Sequence, residues 1–177
     1  MKGLLILLSI SAVAIPIAFY SWQEHKARQI TEEQQLAQNC ANALKHASAA
    51  AAIHTALRAA MFEDDLASEI TEKLGALNEQ MEVLVKRGRP DDQSEVKKDI
   101  YNNFVGVTLS KFLLKHPQLD RRSILGKLCQ VNILITDKDA INTQNQPQKI
   151  NLDTAYKWLE SHKSKIRDEF ANFSQNF

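Results

Sequence analysis

Few side chains in this 177-residue chain stand at spacings that catalysis or metal binding requires. His46 and His54 are eight residues apart on a predicted helix and share roughly one face. Two histidine ligands of one metal ion are usually a single helical turn apart, and no HExxH motif is present. We therefore interpret the two histidines as an exposed or helix-packed pair and predict no metal site.

Other patterns that carry chemistry are incomplete or absent. Asp137-Lys138-Asp139 begins like a calcium loop, but Asn142 and Gln148 replace the glycine and the final glutamate of an EF-hand. With five glycines in the chain, no phosphate-binding loop or nucleophile elbow is recognisable. The sequence thus predicts no catalytic residue, no cofactor and no enzymatic activity. No recognisable nucleic-acid-binding motif is present either, so no nucleic-acid partner is expected.

The chain has two cysteines, Cys40 and Cys129, and neither belongs to a CxxC motif. In an oxidising compartment they could form a disulfide between the first long helix and the late part of the core. Alternatively, both are buried thiols that act as small apolar residues, because Cys40 is in phase with Leu36 and Leu44. Both interpretations remain open.

An uncharged run from Leu4 to Trp22 opens the chain. About 19 residues at about 1.5 Å each suffice to cross a hydrocarbon layer of roughly 30 Å. We predict a retained signal-anchor, because the apolar run continues to aromatic residues typical of a membrane interface. Cleavage after Ala14, which would release a secreted helical protein, and a buried helix of a soluble domain are the alternatives. The predicted anchor residues are Leu4, Leu5, Ile6, Leu7, Leu8, Ile10, Val13, Ile15, Ile17, Phe19, Tyr20 and Trp22.

The topology of this anchor is less clearly encoded than its insertion. Lys2 precedes the run, and Lys26 and Arg28 follow it, so the positive charges on the two sides nearly balance. We predict an inside N-terminus because the preceding tail is very short. The chain then divides into an anchor at 1–22 and an extracytoplasmic, periplasmic domain at 23–177, although the opposite topology stays open.

Scarce glycine and proline predict long helices in the remaining domain. The first helix continues from about 31 to 62, and acidic residues 63–65 either begin a second helix or lie within a continuous one. One strand is expected at 131–136, where β-branched residues are frequent. The fold class is therefore mainly α, a membrane anchor followed by a helical bundle with a long juxtamembrane helix and at most a small β element. The later helices are expected at about 66–87, 92–116, 120–129 and 153–173.

One predicted helix carries a heptad-like seam whose apolar residues are spaced by four, three, four and three positions. About two heptads are too few for an independent coiled coil, so we expect the seam to pack within the bundle. The seam is also the predicted face for a protein partner. Its residues are Ile70, Leu74, Leu77, Met81 and Leu84.

Residues 131–142, VNILITDKDAIN, resemble the strand-turn-strand of extracytoplasmic Cache/PAS-like sensor domains. In that family an apolar strand runs into an Asp-x-Asp or Asp-x-Asn turn, and Ala140 stands where the family usually has glycine. The order of anchor, long juxtamembrane helix, further helices and strand is also similar. The resemblance implies a sensory module that binds a small ligand near 133–142 and has no output module of its own.

The preferred hypothesis from the sequence is a single-pass, non-enzymatic interaction protein at the cell membrane. Its predicted partners are the lipid bilayer and one or more proteins of an envelope complex, in which it is an accessory or scaffold subunit. The ligand-binding sensor and the secreted helical protein are the alternatives.

Overall fold

A computed structural model of the chain describes residues 22–36, 40–85, 93–136 and 152–175. These residues form six helices and no strand, which confirms the mainly helical class. None of the described helices combines the length and the apolar character needed to cross a membrane. The predicted anchor up to residue 21 lies outside the described ranges. The helices are α1 (22–33), α2 (Cys40–Ala59), α3 (Asp64–Val85), α4 (Gln93–Lys115), α5 (Arg121–Gln130) and α6 (Leu152–Ser174).

Helices α2 and α4 form the centre of the bundle and approach closely where both carry small residues. A Cβ atom built on Gly106 of α4 would lie 2.2 Å from the carbonyl oxygen of Ala47 in α2. Alanine has high helix propensity and little bulk, so the alanine-rich centre of α2 forms a stable helix that still admits a close neighbour.

Apolar residues of the other helices surround this central pair. From α1, Ala27 and Ile30 are buried, and the side chain of Gln23 accepts a 2.7 Å hydrogen bond from the Ser48 hydroxyl. Phe104 of α4 belongs to the same buried cluster. Helices α5 and α6 complete the core with Ile124, Leu125, Leu128, Leu159, Ile166 and Phe170.

The predicted continuous helix from about 31 to 62 is wrong, because the chain leaves the helix after residue 33 and re-enters it at Cys40. Gln35 has a positive φ of 53°, and the amide of Leu36 donates to the Thr31 carbonyl while that of Gln35 donates to the Glu32 carbonyl. This is the Schellman arrangement that ends many helices. Glycine usually occupies the left-handed position at a helix end. Because this position is Gln35, the sequence carries no sign that the helix ends here.

Two further helices end in the same arrangement without glycine. Met61 has φ 67° after α2, and Asn132 has φ 58° after α5. In each case the next amide reaches back five residues, from Phe62 to the Leu57 carbonyl and from Ile133 to the Leu128 carbonyl. The acidic run at 63–65 therefore precedes and begins a separate helix, α3.

The predicted strand at 131–136 does not form, and no β element occurs among the described residues. Ile133 and Leu134 are buried in the core, which explains the apolar pattern, but their backbone follows the end of α5. Both backbone groups of Ile135 bind the side-chain amide of Asn102. A side chain thus supplies the hydrogen bonds that a neighbouring strand would have made.

The boundaries of α4, α5 and α6 agree closely with those predicted from the sequence, and the predicted end of α3 near Gly88 lies outside the described residues. Helix α4 stops at Lys115, two residues before Pro117, since proline disfavours the helical conformation of the residue before it. Helix α5 begins after Asp120, whose carboxylate accepts from the amides of Arg122 and Ser123. A disulfide joins Cys40, the first residue of α2, to Cys129 near the end of α5, with 6.2 Å between their Cα atoms.

Candidate functional site

Helix α3 packs on the bundle through small and hydroxyl-bearing residues. Ala67, Thr71 and Gly75 are buried at spacings of four residues, so they share one face of the helix. A Cβ atom on Gly75 would lie 2.8 Å from Nδ2 of Asn103 in α4. This narrow face brings the α3 backbone close to α4 and leaves the larger apolar residues elsewhere on the helix.

Those larger residues form an exposed row that we call the leucine surface, consisting of Leu66, Ile70, Leu74 and Leu77. The exposed fractions of Leu66, Leu74 and Leu77 are 46%, 42% and 53%, and Ile70 is half-buried. The expectation that this seam packs within the bundle is therefore wrong for its described part. The side chains of Met81 and Leu84, also predicted for this face, lie outside the described residues.

Apolar exposure continues at the N-terminal end of the leucine surface. Met61 and Phe62, in the turn before α3, are 90% and 38% exposed. Soluble proteins rarely leave a contiguous row of large apolar side chains in water without a use for it. An amphipathic helix from another protein can bury such a row with its own apolar residues at three- and four-residue spacings.

Charged residues run along one side of the leucine surface. Glu69 and Lys73 are exposed and form an ion pair one turn apart, with 2.5 Å between Lys73 Nζ and Glu69 Oε1. Glu63 and Asp65 are exposed at the start of the helix. The rim of this part of the surface therefore has more acidic than basic groups.

A cleft of about 430 Å³ lies between α3, α4 and α6, and its lysines already have acidic partners. Lys111 Nζ is 2.6 Å from Asp64 Oδ2, and Lys163 Nζ is 3.0 Å from Glu72 Oε2. Burial disfavours the ionised forms of Asp64 and Lys163, but hydrogen bonds to oppositely charged partners outweigh this effect. The pKa of Asp64 is therefore lowered and the pKa of Lys163 is raised. These ion pairs tie α3 to α4 and α6.

His54 is fully buried within a network of hydroxyl groups. Its Nδ1 is 2.9 Å from the Ser110 hydroxyl, and its Nε2 is 3.2 Å from the Ser68 hydroxyl. Burial lowers the pKa of His54 below its ordinary value of 6.5, although Asp64 acts in the opposite direction. The Ser110 side chain is itself buried and lies 2.8 Å from the Thr55 hydroxyl. The arrangement joins serine, histidine and carboxylate, but it gives Ser110 no exposure to a substrate.

His46 is also buried, and it lies between two buried carboxylates that the sequence did not associate with it. The ring contacts Glu79 of α3 through Nδ1 and Asp99 of α4 through Nε2. The sequence left open whether the two histidines are exposed or packed between helices. Both rings are packed between helices, and neither is exposed. The three residues come from different helices at irregular spacing, so no linear motif could have identified them.

The other sequence-predicted residues fall in separate places. Cys40 and Cys129 lie at the α2–α5 contact as a disulfide, away from α3. The strand of the Cache/PAS resemblance is absent at 131–136, and residues 137–142 lie outside the described part of the chain. Comparison with protein-family models, curated proteins and solved structures gave no match. The resemblance therefore has no support beyond the residues that suggested it.

Proposed function

We propose that the protein is a membrane-anchored, non-enzymatic interaction subunit that binds a helix of a partner protein through the leucine surface of α3. The observation that carries this proposal is the exposure of Leu66, Leu74 and Leu77 on a helix that packs on the bundle through the adjacent face of Ala67, Thr71 and Gly75. These leucines are 42–53% exposed, so burying their remaining surface contributes roughly 0.7–1.5 kcal/mol each before the costs of association. A partner helix supplies such burial with its own apolar residues.

The Cys40–Cys129 disulfide supports an extracytoplasmic location for the domain. Disulfides persist in oxidising compartments and are rare where glutathione and thioredoxin keep thiols reduced. This bond joins the start of α2 to the end of α5 across 89 residues of chain, so it constrains much of the domain. An inside N-terminus with the domain in the periplasm agrees with that chemistry.

The beginning of α1 supports a position close to the membrane surface. Trp22 is exposed at the end of the predicted anchor, while the next residue, Gln23, is buried and hydrogen-bonded to Ser48 of α2. A bilayer-spanning segment ending at Trp22 would therefore connect directly to the folded bundle. With no flexible linker between them, the anchor would hold the leucine surface near membrane proteins of an envelope complex.

The charges beside the leucine surface indicate the chemistry of the partner. Glu63, Asp65 and Glu69 outnumber Lys73 along its exposed rim. A partner helix with apolar residues at three- and four-residue spacings and lysine or arginine on its flanks would complement both features. Electrostatic complementarity of this kind favours one register and orientation of the two helices.

The test is a site-specific crosslinking experiment on the full-length protein in its native membrane. A photoreactive residue replaces Leu77, and crosslinked peptides are identified by mass spectrometry. We expect crosslinks to one amphipathic helix with basic flanks, belonging to a protein that co-purifies stoichiometrically after detergent extraction. Crosslinks to a second copy of this chain would instead identify a homo-oligomer and overturn the proposed partner.

Matched variants separate surface binding from a general loss of solubility. For this comparison the photoreactive residue replaces Leu66, and Leu74→Asp combined with Leu77→Asp should abolish both its crosslink and the co-purification. Leu114→Asp introduces one such charge at a comparably exposed leucine of α4 and should preserve both. Retention of the complex by the double variant would refute the role of the leucine surface.

A further inference from the structure

Three side chains that commonly bind metal ions converge inside the bundle. His46 of α2 lies with its Nδ1 3.7 Å from Oε1 of Glu79 in α3 and its Nε2 3.4 Å from Oδ1 of Asp99 in α4. One nitrogen or oxygen atom from each residue lies within 4.8 Å of the other two. The exposed fractions of the three side chains are 1%, 4% and 9%. The group is therefore held by the three helices rather than by a surface loop.

The separation between His46 Nε2 and Asp99 Oδ1 fits a shared cation better than a direct hydrogen bond. Glu79 faces the other ring nitrogen, so an ion bound through one nitrogen requires the Glu79 carboxylate to turn towards it from its place within 4.8 Å of the other two ligand atoms. Charge-assisted hydrogen bonds between a ring nitrogen and a carboxylate oxygen are about 2.7–2.9 Å long. Ligand atoms about 2.0–2.2 Å from a tetrahedral zinc ion are about 3.3–3.6 Å from one another. The 3.4 Å distance between His46 Nε2 and Asp99 Oδ1 falls in the second range.

The donor set also suits a divalent cation, because a neutral imidazole and carboxylate oxygens are both ligands that such ions take in proteins. A dication would neutralise both Glu79 and Asp99 and leave the imidazole of His46 neutral, the form that binds metals. Asn42 donates from Nδ2 to Asp99 Oδ1 across 3.3 Å and thereby orients the carboxylate from outside the three ligands.

We propose that His46, Glu79 and Asp99 form a binding site for a divalent transition metal of the zinc class. The ion takes one nitrogen and two carboxylate oxygens from the chain and keeps a position for a further ligand such as water. By joining α2, α3 and α4, it fixes the helix that carries the leucine surface. The site is distinct from that surface, whose exposed leucines lie on another face of α3.

The first experiment measures metal in the full-length wild-type protein, purified in nonionic detergent and exposed to Zn²⁺ and then to a chelating resin. We expect one zinc per chain by elemental analysis. X-ray absorption should give only nitrogen and oxygen neighbours at about 2.0–2.1 Å, including one imidazole. Replacement by Co²⁺ should give the visible absorption of a tetrahedral ion. Absence of stoichiometric metal, or sulfur among the neighbours, would overturn the proposal without requiring any variant.

The second experiment assigns the ligands with nearly isosteric substitutions. Glu79→Gln and Asp99→Asn should each weaken zinc binding by at least about 100-fold, since losing an outer partner alone costs about 10–100-fold. Glu69→Gln, on the exposed side of the same helix, and His25→Gln, exposed on α1, should bind zinc like the wild type. Equal zinc binding by Glu79→Gln or Asp99→Asn and the wild type would exclude this site even if the protein contains zinc.

Discussion

The side-chain amide of Asn102 forms two hydrogen bonds with the backbone of Ile135, 33 residues away in the chain. Asn102 Nδ2 donates to the Ile135 carbonyl oxygen across 2.9 Å, and Asn102 Oδ1 accepts from the Ile135 amide across 3.0 Å. Asn102 is itself fully buried in α4. One side chain thus holds the extended segment after α5 against the core and occupies the place of a partner strand.

Asn102→Ala should lower the free energy of unfolding by roughly 2 kcal/mol, because two hydrogen bonds are lost and both Ile135 groups lose their partner. Amide hydrogen exchange provides a local readout. We expect faster exchange at the Ile135 amide, while the Ile133 amide, bound to the Leu128 carbonyl, stays protected. Unchanged protection at Ile135 in the variant would show that the amide contact does not hold this segment.

Met61→Gly should stabilise the protein although it removes a large apolar side chain. Met61 has φ 67° and is 90% exposed, so glycine relieves a left-handed conformation and sacrifices little buried area. The expected gain in unfolding free energy is about 0.5–1 kcal/mol, measured by thermal denaturation. Ala56→Gly, at an exposed position inside α2, is the matched control and should destabilise by a similar amount. Destabilisation by both variants would contradict the role assigned to the Met61 conformation.

Reduction of the Cys40–Cys129 bond should lower the unfolding free energy by roughly 2–5 kcal/mol, because the bond closes a long loop in the unfolded chain. Thermal unfolding with and without a thiol reductant measures this change. The double variant Cys40→Ala with Cys129→Ala should have the stability of the reduced wild type, both with and without reductant. If reductant affected the double variant as strongly as the wild type, the disulfide would not be the cause.

Acidification should destabilise the protein through His54. Burial lowers the pKa of His54 in the folded state, so below pH 6.5 the unfolded chain binds a proton more readily than the folded chain. Above the unfolded pKa, His54 is neutral in both states and its titration costs no stability. As the pH falls below that value, the free energy of unfolding decreases by at most about 1.4 kcal/mol per pH unit. His54→Gln should therefore lose less stability than the wild type between pH 7.5 and 5.5, whatever its stability at pH 7.5. An equal or steeper loss in the variant would exclude His54 as the responsible group.

Much of the secondary structure could be predicted because its signals are local. The 3.6-residue apolar period of α6, the capping carboxylate of Asp120 and the proline after α4 each act within a few residues. The helix end at Gln35 was missed, and the end at Met61 was left open, because their left-handed residues are not glycine. The apolar run at 131–136 was misassigned because burial of Ile133 and Leu134 produces the same pattern in an extended segment as in a strand.

For the candidate sites, the sequence by itself determined which residues lie together on one helix, including Ile70, Leu74 and Leu77 of the leucine surface. Only the tertiary structure decided that this row faces solvent, because that outcome depends on Ala67, Thr71 and Gly75, about 100° around the helix, allowing α3 to approach α4. The meeting of His46, Glu79 and Asp99 was likewise decided by helix packing. Glu79 follows His46 by 33 positions and precedes Asp99 by 20, and the three residues lie on separate helices. No regular spacing in the sequence therefore indicates that they meet.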